Sequence, residues 1–167
     1  MASQTDLDEV WIVVTPQNPH KKQSALANDY DRLHLVRLAI EDNPKLKVSN
    51  IEFELPKPSY TIDTLTYLKE KYSNRDFVLI MGSDNLGSFP KWKNYEQILA
   101  DHMLYVYRRP DYDHGALAGH PKVKIFDAPL MNISASYIRF CIKEGHNIQY
   151  LVSPEVYKYL DESTLYK

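Results

Sequence analysis

The chain has 167 residues, 44% hydrophobic and 25% charged, with a formal net charge of -2, the composition of a globular protein that buries one core. Near-neutral charge excludes a general affinity for nucleic acid or an anionic membrane, so an anionic ligand must be gripped locally. The single cysteine, Cys141, rules out an internal disulfide and any multi-cysteine zinc site, and fits a reducing cytoplasm.

No apolar run approaches the ~20 residues that span a bilayer, and Met1 to Asp8 carry no basic or apolar leader region. The expectation is one soluble cytoplasmic domain over residues 1–167. Val10–Thr15 is a β-branched run that reads as a buried strand ending at Pro16, followed by a polar loop to Asn28. Asp29 to Asp42 carries Leu33, Val36 and Ile40 at helical spacing, and Pro44 closes it. Leu46 to Leu55 alternates in two pieces, with Ile51, Phe53 and Leu55 on one face, and reads as strand-like.

A helix is expected from Ile62 to Tyr72, with Ile62, Leu65 and Leu68 facing inward. Phe77–Met81 is an apolar strand that Gly82 ends, and Tyr95 to Asp101 reads as a short helix. Met103–Tyr107 and Val123–Phe126 read as strands around a turn-rich loop holding Pro110, Gly115, Gly119 and Pro121. Ala135 to Glu144 follows as a helix with Ile138, Cys141 and Ile142 buried and Gly145 as its stop. Pro154 opens a last helix through Val156 and Leu160.

Apolar strands separated by helices argue for an α/β fold with a parallel sheet covered on both faces. Ligands then sit beyond the carboxyl ends of the strands. The loops there carry Pro16 to Lys22, Gly82-Ser83-Asp84 with Phe89-Pro90-Lys91-Trp92, Arg108-Arg109-Pro110, and Asn132 to Arg139. Basic groups, hydroxyls and an aromatic ring thus converge at one end.

Ser134 is placed to cap a helix whose free N–H groups, with Ser136 and Arg139, would cradle phosphate; it would equally serve as an ordinary cap beside a solvated arginine. His20 and Lys21 could be loop cations or solvated residues, and Trp92 a lid or a platform for a flat ring. Asp84 suits a ribose hydroxyl or a turn cap, and Arg109 a carboxylate, a phosphate or solvent. The six histidines show no metal-ligand spacing, so no zinc site is expected.

Taken in order, Pro16–Lys21 (PQNPHK), Pro58–Leu65 (PSYTIDTL), Gly82–Trp92 (GSDNLGSFPKW), Arg109–Pro110 and Ile133–Arg139 (ISASYIR) resemble bacterial nicotinate-nucleotide adenylyltransferases over essentially the whole chain. The resemblance implies a Rossmann-like, doubly wound nucleotidylyltransferase fold. It also implies coupling of nicotinate mononucleotide to ATP with Mg²⁺, giving deamido-NAD and pyrophosphate. His20, Lys21, Ser134, Ser136 and Arg139 would hold the ATP phosphates, with Lys21 and Arg139 acting in the transfer. Thr61 and Trp92 would receive the nicotinate ring and its carboxylate, with Tyr60 and Arg109 nearby and Asp84 on a sugar hydroxyl. No protein metal ligands, nucleic acid or membrane partners are implied, and a homo-oligomer is compatible with the pattern. A non-catalytic nucleotide-binding module, or a sibling transferase using nicotinamide mononucleotide or phosphopantetheine, are the alternatives.

Members of this family open with a strand and a glycine-rich GxFxPxHxGH loop, which the 167 residues do not contain. Met1 to Glu9 reads as the end of the helix that would follow that loop. The expectation is that Met1 is a misplaced start, that a longer chain exists, and that the 167 residues alone are poorly stable and do not transfer.

Overall fold

A computed structural model describes residues 1–19, 26–109, 112, 115–129 and 131–167. In chain order these form strand β1 (Val10–Val13), helix α1 (Asp29–Ile40), β2 (Leu46–Ser49), a 3₁₀ turn (Ile51–Glu54), α2 (Thr61–Lys71) and β3 (Leu79–Gly82). There follow α3 (Ser83–Leu86), a second 3₁₀ turn (Phe89–Lys91), α4 (Tyr95–Asp101), β4 (Leu104–Tyr107), β5 (Val123–Phe126), α5 (Ala135–Lys143) and α6 (Pro154–Glu162). None of these helices is long and apolar enough to cross a membrane.

The chain divides into two compact units. One comprises Met1, Gln17–Pro19 and Leu55–Leu130, and is built on a parallel sheet of order β3-β4-β5. The central strand β4 buries Leu104, Tyr105 and Val106 in succession, as a strand covered on both faces must. Around it pack Ile62 and Leu65 of α2, Met81 of β3, Leu86, Phe89, and Ile98 and Leu99 of α4. Each is a near-fully buried apolar side chain, worth about 1.5–3 kcal/mol of transfer free energy.

The other unit comprises Ala2–Pro16, His20–Glu54 and Met131–Lys167, and pairs β1 with β2 in parallel. Its second core joins Cys141, Ile148, Val156 and Leu160, with Leu35 and Leu38 of α1 and Ile138 and Ile142 of α5 packed against it. Leu33 is buried as its spacing requires, but Leu35 and Leu38 widen the apolar face of α1 beyond the expected stripe. His34 meets Tyr159 edge to face at 4.7 Å, tying α1 to α6.

Three expectations about elements need correction. Only the first piece of Leu46–Leu55 is strand, because the chain turns after Ser49 and Ile51–Glu54 is a 3₁₀ turn. Phe53 donates to the Asn50 carbonyl, and adjacent Ile51 and Glu52 are both buried, which an alternating strand cannot achieve. Phe77 and Val78 stay outside the ladder, where the Phe77 carbonyl accepts from His102 Nδ1 at 2.9 Å, so β3 starts at Leu79 and runs through Gly82. Met1 to Glu9 forms turns and bends rather than a helix end; so short and polar a segment cannot repay helix nucleation.

Candidate active site

Parallel pairing sets Gly82, Tyr107 and Phe126 side by side at the carboxyl edge of the three-stranded sheet. β3 passes straight into Ser83 and Asp84 there. Gly82 fits because it lacks a side chain. A Cβ at this position would overlap Asp84 Oδ1 and stand 2.9 Å from Arg109 Nε and 3.2 Å from Tyr107 Cζ. Ser83, 1% exposed, accepts the Arg109 backbone N–H on its Oγ at 2.9 Å, latching the end of β4 to that of β3.

Arg109 is thereby aimed. Its Nη2 donates to the Tyr107 hydroxyl at 3.0 Å, its guanidinium lies 5.3 Å from the Tyr107 ring centroid, and its Nε stands 3.4 Å from Asp84 Oδ1. The Tyr107 hydrogen bond raises the Arg109 pKa above its already high ordinary value, with the charge of Asp84 adding to it. The group is a fixed cation. Arg108 turns the other way and pairs with Asp127 at 2.8 Å, so the two arginines divide between the β3 and β5 sides of the strand end. Asp84 Oδ1 is buried, and among the described residues it accepts no hydrogen bond, because the Arg109 separation is an ion-pair distance.

Trp92 closes the second 3₁₀ turn, where its backbone N–H donates to the Phe89 carbonyl at 2.9 Å. Half-buried, its ring tilts against fully buried Phe89 at 5.4 Å between centroids. Tyr60 stands as the N-cap of α2 without a side-chain cap, and Thr61 is the first helical residue. The Asp63 and Thr64 amides turn back to the Tyr60 carbonyl, leaving Thr61 and Ile62 with no acceptor inside the helix. Lys93 joins the two segments. Its Nζ lies 2.9 Å from Asp63 Oδ2 and 4.7 Å from the Tyr60 ring centroid. Tyr60 and Trp92 pack against the same core that holds Met81 and Leu86, which lie on either side of Asp84 in the chain.

In the other unit, Ser134 caps α5 as its position requires, accepting the Tyr137 N–H on Oγ at 3.1 Å. Arg139 Nη2 donates to Ser136 Oγ at 3.1 Å, and its guanidinium stands 5.9 Å from the Tyr166 ring centroid. A hydrogen bond with Cys141 raises the pKa of the Tyr137 phenol. His20 and Lys21 lie outside the described residues. The expected residues thus form two groups, Tyr60, Thr61, Asp84, Trp92 and Arg109 in one unit and Ser134, Ser136 and Arg139 in the other. Sequence reasoning assigned no role to Ser83, Lys93 or Tyr107. Ser83 lay inside the quoted GSD motif, but nothing in one sequence shows that its hydroxyl serves a strand end 26 residues away.

A cytidylyltransferase-like family model matches residues 1–140. A Cytophaga hutchinsonii protein named "probable nicotinate-nucleotide adenylyltransferase" is 56% identical over 156 residues, covering 93% of this chain and 81% of that protein. One from Flavobacterium psychrophilum, named likewise, is 53% identical over 169 residues, covering 100% and 88%. The chain belongs to the nicotinate-nucleotide adenylyltransferase family. Membership makes it a nucleotide-transferring enzyme of NAD biosynthesis by kinship. The fold agrees: the nicotinic acid mononucleotide adenylyltransferase of Plasmodium falciparum, solved with NaAD, superposes with a TM-score of 0.76 at 21% identity, covering 95% of this chain and 82% of that one. Its parallel sheets flanked by helices are the Rossmann-like nucleotidylyltransferase fold, as the family resemblance implied.

Proposed function

We propose that this adenylyltransferase joins nicotinate mononucleotide to the adenylyl group of ATP, forming deamido-NAD and pyrophosphate. The carrying observation is the pairing of Trp92 with an uncapped α2 N-terminus, which Lys93 ties together on one core. A flat pyridinium ring would stack on Trp92. Its carboxylate would take the Thr61 and Ile62 amides at the positive end of the helix dipole. Arg109 would hold an anionic group of the mononucleotide, and Asp84 beside it would take a sugar hydroxyl. The names borne by the relatives favour the same acid substrate.

In the transfer, a mononucleotide phosphate oxygen attacks the α-phosphorus of ATP, the bond to the bridging oxygen breaks, and pyrophosphate leaves with that electron pair. No covalent enzyme intermediate is needed. The protein would align the reactants and stabilise phosphate charge. Ser134, Ser136 and Arg139 at the start of α5 are suited to the ATP phosphates, and His20 and Lys21 would add charge from the loop after β1. Lys21 and Arg139 would act on the reacting phosphates. Among the described residues no group of three or more His, Cys, Asp or Glu is placed as a metal cage. Mg²⁺ would arrive on the triphosphate, where it would neutralise phosphate charge.

The test is pyrophosphate release, by a chain that carries the glycine-rich GxFxPxHxGH loop ahead of these residues, with nicotinate mononucleotide, nicotinamide mononucleotide or phosphopantetheine beside ATP, together with calorimetry of each ligand. Release with a strong preference for nicotinate mononucleotide is expected. Binding without release would overturn transfer and leave a nucleotide-binding module. A preference for either other acceptor would overturn the substrate assignment.

A further inference from the structure

Resting on the acid-substrate reading above, we propose that Lys93 is a specificity-determining residue for the carboxylate, acting by neutralising Asp63. Asp63 is the third residue of α2 and an acidic member of its first turn. An acidic side chain at this place suits the helix dipole. It is also the wrong charge beside a helix N-terminus that must receive a carboxylate, since like charges within several ångströms repel. An isolated Asp63 would favour the neutral amide form of the ring.

Lys93 removes that conflict. Its ammonium contacts both Asp63 oxygens, at 2.9 and 3.1 Å, from 30 residues away in the chain. It lies over the Tyr60 ring at 4.7 Å, which places the cation beside the N-cap rather than further along the helix. The residue before it is Trp92, the ring platform, so the charge and the stacking surface are carried by one short segment. Both partners are about two-fifths exposed, at 43% and 41%, so the pair contributes little to folding. Its position gives it an electrostatic effect that it does not have on stability. Lys93 need not touch substrate. It lets the Thr61 and Ile62 amides act on an anion without an uncompensated carboxylate behind them.

The test measures affinities of the full chain for nicotinate mononucleotide and nicotinamide mononucleotide by calorimetry, for wild type, K93M and K93M/D63N. In K93M the acid form should bind about three- to fivefold more weakly, the scale of an exposed charge pair, while the amide form stays within about twofold. K93M/D63N, which removes both charges, should restore the acid affinity to within about twofold of wild type. A purely structural clamp would weaken both ligands equally in K93M and would not be rescued by the second change. Equal loss, no loss, or no rescue overturns the proposal. A wild-type protein without acid preference overturns instead the substrate assignment on which it rests.

Discussion

Gly82→Ala tests the strand-end geometry most sharply. The added methyl would overlap Asp84 Oδ1 and crowd Arg109 Nε at 2.9 Å and Tyr107 Cζ at 3.2 Å. Something must shift. The Asp84 and Arg109 side chains are 26% and 44% exposed and can rotate outward, so the fold should absorb the change at the low end of overpacking costs, about 1 kcal/mol. For a chain of this size that lowers Tm by about 2–4 °C. The site cannot absorb it in the same way, because the rotation separates Asp84 from Arg109, the pair assigned to the mononucleotide. Losing about 1.4–3 kcal/mol of binding corresponds to a tenfold or greater fall in affinity for nicotinate mononucleotide, read by calorimetry beside a thermal melt. Gly87→Ala is the control, since a Cβ there meets nothing within 4 Å, and it should leave both readouts unchanged. If G82A binds nicotinate mononucleotide within twofold of wild type while melting normally, the Asp84–Arg109 arrangement is not part of the binding site.

Trp92→Ala should weaken nicotinate mononucleotide by about tenfold or more through the lost ring face, with ATP affinity unchanged; equal loss for both ligands would show general damage through Phe89. Ser134→Ala removes the α5 cap and should cost about 1 kcal/mol in a thermal melt. Ser134→Asp keeps a capping oxygen, so it should melt near wild type yet lose ATP affinity through charge repulsion; unchanged ATP binding would remove Ser134 from the phosphate site. Arg109 is a cation at every working pH, and the Tyr107 hydrogen bond raises its pKa further. A group with a raised pKa loses its contribution only as pH climbs past that pKa, so the affinity ratio of wild type to R109M should stay flat between about pH 7 and 9. A ratio that falls across that range would contradict the Arg109 assignment.

Much of the fold was legible because its signals are local. The β4 run needs no partner to read as buried strand, and Pro154 and Ser134 mark helix starts by their own chemistry. Ile51 to Leu55 misled because its apolar alternation matches a strand, while the deciding event was the turn after Ser49. The site was legible in part for the same reason. Trp92, Asp84 and Arg109 stood out as loop residues after strands, whereas the Ser83 latch, the Tyr107 bond and the Lys93–Asp63 pair connect positions 26, 2 and 30 residues apart. Two of those three pairs are long-range, and in the third Tyr107 read as strand rather than as a partner of Arg109.

A crystal structure of the protein with nicotinate mononucleotide bound would be decisive. The pyridine ring should lie flat on the Trp92 indole, with its carboxylate within hydrogen-bond distance of the Thr61 or Ile62 backbone N–H. A ring seated elsewhere, or a carboxylate facing away from the start of α2, would contradict the site assignment and the acid selectivity derived from it.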